Sequence, residues 1–332
     1  MNLSTSAASG IKLRCMLIAF VANAAMTALP AVAQSYPSKP VRFILPFPPG
    51  GPTDILGRIV GQRLAVQLGQ PVVPENRPGA GGNVGTEYGS RTAPDGYNIV
   101  LASPTVVISP GLYKKLGYDP LKDFAPLSLI AQIPNVLLVH PSVPAKTLKE
   151  LMQLAKANPG KLNFGSGGLG TSNHLGGEMF KGLAGVSMVH VPYKGSNEAM
   201  VGMMGGHVDM CVIGIPPTLP HIKAGRVRSL AVLASERASA IPEVPTSKEA
   251  GMPNYEVYTW YGILAPAATP RDIVTRLNAE IVKAVAHPET REKMTEAGFE
   301  PTSTTPEQLG DFLKTEMVRW AKVIKDANVK IE

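Results

Sequence analysis

Short apolar runs alternate with amphipathic stretches along most of the chain, and glycine or proline separates one from the next. Apolar runs bounded by turn residues read as buried strands, and a 3.6-residue apolar period reads as helix. Strands are predicted over 41–47, 71–75 and 97–102. Helices are predicted over 53–68 and from the glycine-rich turn 79–85 onward to 91. Gly69 stops the first helix, as a left-handed cap residue should. A long apolar segment, 127–139, is broken by Pro134. A second alternation follows, with helices over 148–157, 171–183, 197–205 and 219–224. They interleave with strands over 161–164, 188–191, 208–213 and 229–233. Residues 255–265 are extended again, and the chain ends on helices 270–286, 289–297 and 306–327. This alternation predicts an α/β fold with mostly parallel sheets. Two α/β sets joined by two extended segments predict two lobes with a cleft between them and two crossovers, lobe 1 being 34–132 plus 260–332 and lobe 2 being 133–259.

Composition narrows the class. The chain has 332 residues, 44% of them hydrophobic, which is ample for a buried core of about two domains. The net charge is +7, but it is spread along the chain with no run of five like charges, which argues against a nucleic-acid tail. Two cysteines exclude a disulfide scaffold and a multi-cysteine zinc site. Residues 1–33 contain no Asp or Glu; Lys12 and Arg14 precede an apolar stretch that ends at Ala31-Val32-Ala33. That is the layout of a cleaved export signal, and the apolar run is short for a membrane span. Removal of 1–33 leaves Cys211 as the single cysteine, read as a core residue of its apolar strand. An exported protein without disulfides or a later long apolar run reads as a soluble periplasmic protein.

Two glycine-rich loops carry the candidate chemistry. Phe47-Pro48-Pro49-Gly50-Gly51-Pro52-Thr53-Asp54 follows a strand and opens a helix. The free N–H groups of a helix N-terminus and the positive end of its dipole favour an anion there. An ordinary tight loop between strand and helix is the plainer reading. Gly165-Ser166-Gly167-Gly168-Leu169-Gly170-Thr171-Ser172-Asn173-His174 repeats the arrangement in the second lobe. It matches G-x-G-x-x-G, but no acidic residue stands about 20 positions on, as a dinucleotide site requires. Nor does a Gly-Lys-Ser/Thr follow, so it is not a phosphate-binding P-loop. Ser166, Thr171 and Ser172 are uncharged donors suited to a carboxylate. Ser103-Pro104-Thr105 ends another strand and offers a third set. Strand C-terminal ends are where α/β sheets bind ligands, so these loops can face one another across a cleft.

Catalysis has little support. G-x-S-x-G and H-E-x-x-H are absent, and the six histidines lack metal-ligand spacing. His174, one turn into the second anion helix, reads either as a ligand or water contact or as local packing. Lys194 reads either as a charged rim of the site or as a solvated loop residue. No cofactor and no metal are expected.

Several segments together resemble one family. They are Tyr36-Pro-Ser-Lys-Pro-Val-Arg42, Pro46-Phe-Pro-Pro-Gly-Gly-Pro-Thr-Asp54, Glu75-Asn-Arg-Pro-Gly-Ala-Gly-Gly82, Ala93-Pro-Asp-Gly-Tyr97, Val189-His-Val-Pro-Tyr-Lys-Gly195 and Leu219-Pro-His-Ile-Lys-Ala-Gly225. Pro242-Glu-Val-Pro-Thr246, Glu249-Ala-Gly251 and Trp260-Tyr-Gly-Ile-Leu-Ala-Pro266 complete the set. In order and over nearly all of 36–332, they are similar to the Bug family, the periplasmic receptors of tripartite tricarboxylate transporters. The resemblance implies a periplasmic-binding-protein fold of type II character and capture of a small organic acid. The acid would be a di- or tricarboxylate, an amino acid or an aromatic carboxylate. It implies a first loop of Phe47, Gly50, Gly51, Thr53 and Asp54, with Asp54 capping the helix or holding a water. Ser103 and Thr105 would line the first lobe with Gly82 near. Ser166, Thr171, Ser172 and His174 would form the second carboxylate site, with Tyr193 beside it. Ile213-Gly214-Ile215 and Val106-Val107-Ile108 are more apolar than is usual there, which tilts the expectation toward a less polar carboxylate.

The leading expectation is a monomeric, non-enzymatic solute receptor that delivers its ligand to separate membrane permease subunits, with no nucleic-acid partner. Alternatives are a ligand sensor for a signalling partner and an exported hydrolase using Ser172 and His174. Those two lie two residues apart, and on a helix they point apart.

Overall fold

Buried Val41, Phe43, Ile44 and Leu45 make β1 (Val41–Leu45) the first strand of the computed structural model, which describes residues 36–329. The export signal expected at 1–33 lies outside the described residues. Among them, no helix is long and apolar enough to cross a membrane. β2 (Val72–Asn76) and β3 (Asn98–Ala102) flank β1, both parallel to it. α1 (Pro52–Leu68) joins β1 to β2; Pro52 starts it where its missing N–H is harmless, and Gly69 ends it at φ 66°. α2 (Asn83–Ser90) joins β2 to β3.

The centre of the sheet departs from the mostly parallel arrangement expected. β4 (Phe124–Val139) is one strand of 16 residues, and β9 (Tyr258–Pro266) runs antiparallel between it and β3. β7 (Met210–Gly214) pairs antiparallel with the far half of β4, and β5 (Asn163–Ser166) and β6 (Val189–Pro192) extend the sheet in parallel. The strand order is β2-β1-β3-β9-β4-β7-β5-β6; β8 (Arg228–Val232) and β10 (Glu300–Pro301) pair with β4 off this path. Parallel pairing therefore holds at both ends, and the two extended crossovers meet head to tail in the middle. Pro134 does not break β4. It is the last residue paired with β9, opposite Tyr258, and Asn135 begins the pairing with β7. A residue without an N–H is tolerated where partners change.

Both faces of β4 are buried, so its sequence reads as one continuous apolar run. Leu137 and Val139 join one core cluster, and Val136 and Leu138 join the other. Helices α3 (Thr105–Ile108), α4 (Leu148–Ala157), α5 (Ser172–Ala184), α6 (Ser196–Met204) and α7 (Ile215–Lys223) connect the strands. α3 was not anticipated, because its apolar run Val106-Val107-Ile108 is too short to show a helical period. α8 (Arg271–Ala286) and α9 (Pro288–Glu296) return to pack on α1. α10 (Pro306–Asp326) lies against β4 and α3 and reaches α5. It opens with a capping box formed by Thr305 and Gln308, and it buries Leu309, Leu313, Glu316, Trp320 and Ile324 at helical spacing.

Candidate functional site

The four strands β1, β3, β5 and β6 all end at one cavity of about 130 Å³. The residues that follow them form its wall: Phe47 to Pro49 and Gly51 to Thr53 after β1, Ser103 and Thr105 after β3, Thr171 to Asn173 after β5, and Gly195 to Glu198 after β6. Thr259 and Tyr261 of β9 complete it. Three helices of eight residues or more, α1, α5 and α6, begin at this wall. The first turn of each leaves backbone N–H groups without intrahelical partners. At α5 the Thr171 hydroxyl accepts from the His174 N–H at 3.2 Å and so caps one of them. α1 and α6 are capped by Gly51 and Gly195, which have no side chain to do so.

Of the residues singled out in the sequence, Phe47, Gly51, Thr53, Ser103, Thr105, Thr171 and Ser172 line the cavity. Gly50, Asp54, Gly82, Ser166, His174 and Tyr193 stand behind or beside it. Asp54 is buried. It accepts from the Gly50 N–H at 3.0 Å, from Arg58 at 2.9 Å and from Asn76 at 3.0 Å. Asn76 also donates to the Phe47 carbonyl, so Asp54 and Asn76 together fix the first loop. Burial opposes ionisation of Asp54, but the bonds from Arg58, Gly50 and Asn76 outweigh it and hold the carboxyl below its ordinary range. Gly82 packs against the Phe47 ring. Tyr193 lines a separate groove with Ala80, Gly81 and Leu169.

Ser166 and His174 belong to a buried polar stack under the second loop. The Ser166 hydroxyl meets His190 Nε2 at 2.7 Å and accepts from the Gly168 N–H at 3.2 Å. The His174 and His190 rings stack with centroids 4.1 Å apart, and Phe164 stacks on His190 at 4.7 Å. His174 Nδ1 accepts from the Gly170 N–H at 3.3 Å. The imidazoles thus hold the 168–171 turn from behind. Glu178 and Lys181 are the charged groups facing them, and they pair with each other at 2.7 Å. Burial pushes His174 down to about 4 and His190 down to about 3; Lys181 adds to both shifts, and His174 adds to that of His190. Folded-state values below the unfolded one of about 6.5 mean that the unfolded chain binds more protons between them. The stack's contribution to stability is therefore complete above about pH 6.5 and is lost as pH falls toward 4. Melting temperature is expected to drop between pH 6.5 and 5, and His190→Gln to flatten that slope; an equal slope in the variant would refute this assignment.

Several wall residues escaped the sequence reading. The N-terminus of α6 has the same form as the two loops that were recognised, a strand followed by glycine and a helix, so the signal was available in Tyr193-Lys194-Gly195-Ser196-Asn197. Asn173 and Ser196 join the two loops, the Ser196 hydroxyl donating to Asn173 Oδ1 at 3.1 Å. Thr259 and Tyr261 alternate on β9, a period-2 signal whose facing side only the packing reveals. Thr259 bonds Ser172 at 2.8 Å and the buried Asn135 of β4 at 3.2 Å, which ties α5 to the central strands. Val106, Val107, Ile108, Ile213 and Ile215 are all buried in the core and do not line the cavity. The expectation of a less polar ligand loses that footing. Its apolar walls are instead Phe47, Pro48, Pro49, Pro52 and Tyr261.

The sequence profile of the tripartite tricarboxylate transporter family receptors matches residues 56–329. The chain belongs to this family. BugT of Bordetella pertussis is 36% identical over 315 residues, 94% of this chain and 96% of BugT. The solved structure of the periplasmic binding protein BugD is 35% identical and covers 89% of this chain and 99% of its own, at a TM-score of 0.85. R. palustris Rpa4515 with adipate is 35% identical over the same shares, at a TM-score of 0.86. The family is one of solute-binding receptors, and the fold of this member is the periplasmic-binding-protein fold.

Proposed function

We propose that this receptor captures a small organic carboxylate in the cavity at the ends of β1, β3, β5 and β6 and hands it to a membrane permease. The observation that carries this is the make-up of the wall: the N-termini of α1 and α5 and the hydroxyls of Thr53, Ser103, Thr105 and Ser172 meet there, with no cationic side chain among the described residues that line it; the Thr171 hydroxyl already donates to the Gly168 carbonyl. Such a wall suits a carboxylate, which N–H and hydroxyl donors hold without the desolvation of a buried cation. The adipate in the structure of Rpa4515 supports the same ligand class. Gly51, Thr53, Ser103, Thr105, Thr171 and Ser172 are the proposed contacts, joined by Asn173 and Thr259; Asp54, Ser166 and His174 hold the loops. The division into 34–132 plus 260–332 and 133–259 is the proposed pair of lobes. Each contributes one glycine-rich loop, so closure would bring both onto one ligand and exclude water from its hydrogen bonds. Export through the segment 1–33 places the receptor in the periplasm.

The chain is proposed to be a receptor without catalytic activity. Ser172 is bonded to Thr259, and His174 turns away into the histidine stack. The one close serine–imidazole contact at the second loop, Ser166 with His190, has a fully buried serine off the cavity wall. A thermal-shift screen of organic acids against their amides tests the proposal. An acid at about a hundredfold excess over its dissociation constant should stabilise the protein by about 2.7 kcal/mol, and its amide should not. Equal shifts with acid and amide would sink the carboxylate reading.

A further inference from the structure

Among the described residues that line the cavity, Glu198 is the one with a formal charge, and its sign opposes an anionic ligand. It stands at the third position of α6, after the cap residue Gly195. Its Oε2 accepts from the Lys194 backbone N–H at 3.2 Å, which draws the carboxylate across the helix N-terminus. An acidic side chain in a first turn satisfies the positive end of the helix dipole. Glu198 is therefore already the anion of α6, while the termini of α1 and α5 have no side-chain anion on the cavity wall: Asp54, in the first turn of α1, is turned back to Gly50, Arg58 and Asn76. The wall therefore combines the donors of the α1 and α5 termini with one negative side chain on α6, beside the apolar Phe47, Pro48 and Pro49.

Resting on the receptor reading above, we propose that Glu198 is a specificity-determining residue. It selects a carboxylate whose far end is neutral or carries an ammonium group, and it disfavours dicarboxylates. Two like charges about 6 Å apart at a partly exposed site repel enough to change affinity by about tenfold. An ammonium group at the same place gains by a similar factor.

The test is calorimetric titration of the purified protein and of Glu198→Gln with three matched series. They are butyrate, succinate and 4-aminobutyrate; hexanoate, adipate and 6-aminohexanoate; and benzoate, terephthalate and 4-(aminomethyl)benzoate. Gln keeps an acceptor for the Lys194 N–H, and the position is exposed, so the melting temperature of the variant should match the parent's. In at least one series the parent should bind the monoacid or the amino acid about ten times more tightly than the diacid. Glu198→Gln should bring that ratio close to one by improving the diacid. A parent that prefers the diacid, or a ratio that Glu198→Gln leaves unchanged, overturns the assignment while leaving the receptor reading intact. If no member of any series binds either protein, the carboxylate reading fails and the role of Glu198 falls with it.

Discussion

Glu316→Leu is expected to lower the unfolding free energy by about 3 kcal/mol, a large loss at a position remote from the cavity. Glu316 is buried under α10, where its Oε2 accepts from Trp260 Nε1 at 2.8 Å and from Trp320 Nε1 at 3.0 Å. One carboxylate oxygen thus joins β9 to α10. Leucine fills the volume but leaves two buried indole N–H groups without an acceptor, at about 1–3 kcal/mol each. Relief of the carboxylate's own desolvation offsets part of that. Arg319, which also bonds Glu316, is half-exposed and can turn to water. Glu316→Gln keeps an acceptor oxygen and should cost about 1 kcal/mol or less. The chain's two tryptophans are this pair, so their fluorescence in urea reports the site directly. A loss below about 1 kcal/mol for Glu316→Leu would show that the indoles find other partners.

Gly81→Ala is expected to weaken ligand binding by about 30-fold or more, equivalent to about 2 kcal/mol. Gly81 has φ 64° and belongs to the turn between β2 and α2, and an added Cβ would overlap the Leu169 carbonyl oxygen of the turn before α5. Gly168 approaches from the other side, a Cβ on it lying 3.3 Å from Gly81 Cα. These backbones touch beside the cavity, one from each proposed lobe, and neither can carry a side chain and keep the contact. Alanine at Gly81 would hold the lobes apart on that side and admit water to the ligand. Left-handed backbone strain adds its own penalty of about 1–2 kcal/mol. Gly69→Ala separates the two effects, because Gly69 has φ 66° and nothing within 4 Å of a Cβ. It should lose stability with no change in affinity. Equal affinities for the parent and Gly81→Ala would remove this contact from the account of closure.

The cavity also explains why the sequence located some site residues and passed over others. Gly51, Thr53, Thr171 and Ser172 sit where a strand gives way to glycine and then to a helix, and that local pattern fixes free N–H groups in any fold. His174 shares the same turn, yet its ring lies in a stack with His190 and Phe164. Position along the chain places a residue near a site, but the rotation of the helix decides which way it faces. Glu198 and Thr259 come from segments 61 residues apart by their numbers, and no local rule links them.

What the sequence determined by itself was the periodic part. Apolar period and glycine–proline punctuation set the elements, often within two residues of their ends, as at α4 and α8. The family likeness was also written in consecutive segments. What only the tertiary structure decided was direction and partnership. β4 reads as one continuous apolar run because both its faces are buried, and nothing in it says that pairing with β9 ends at Pro134 and pairing with β7 begins at Asn135. Strand direction, the inward burial of Val106 to Ile108 and the neighbourhood of Glu198 depend on contacts between residues far apart in the chain. Those contacts form only when the apolar faces of both core clusters close together, so no local propensity encodes them.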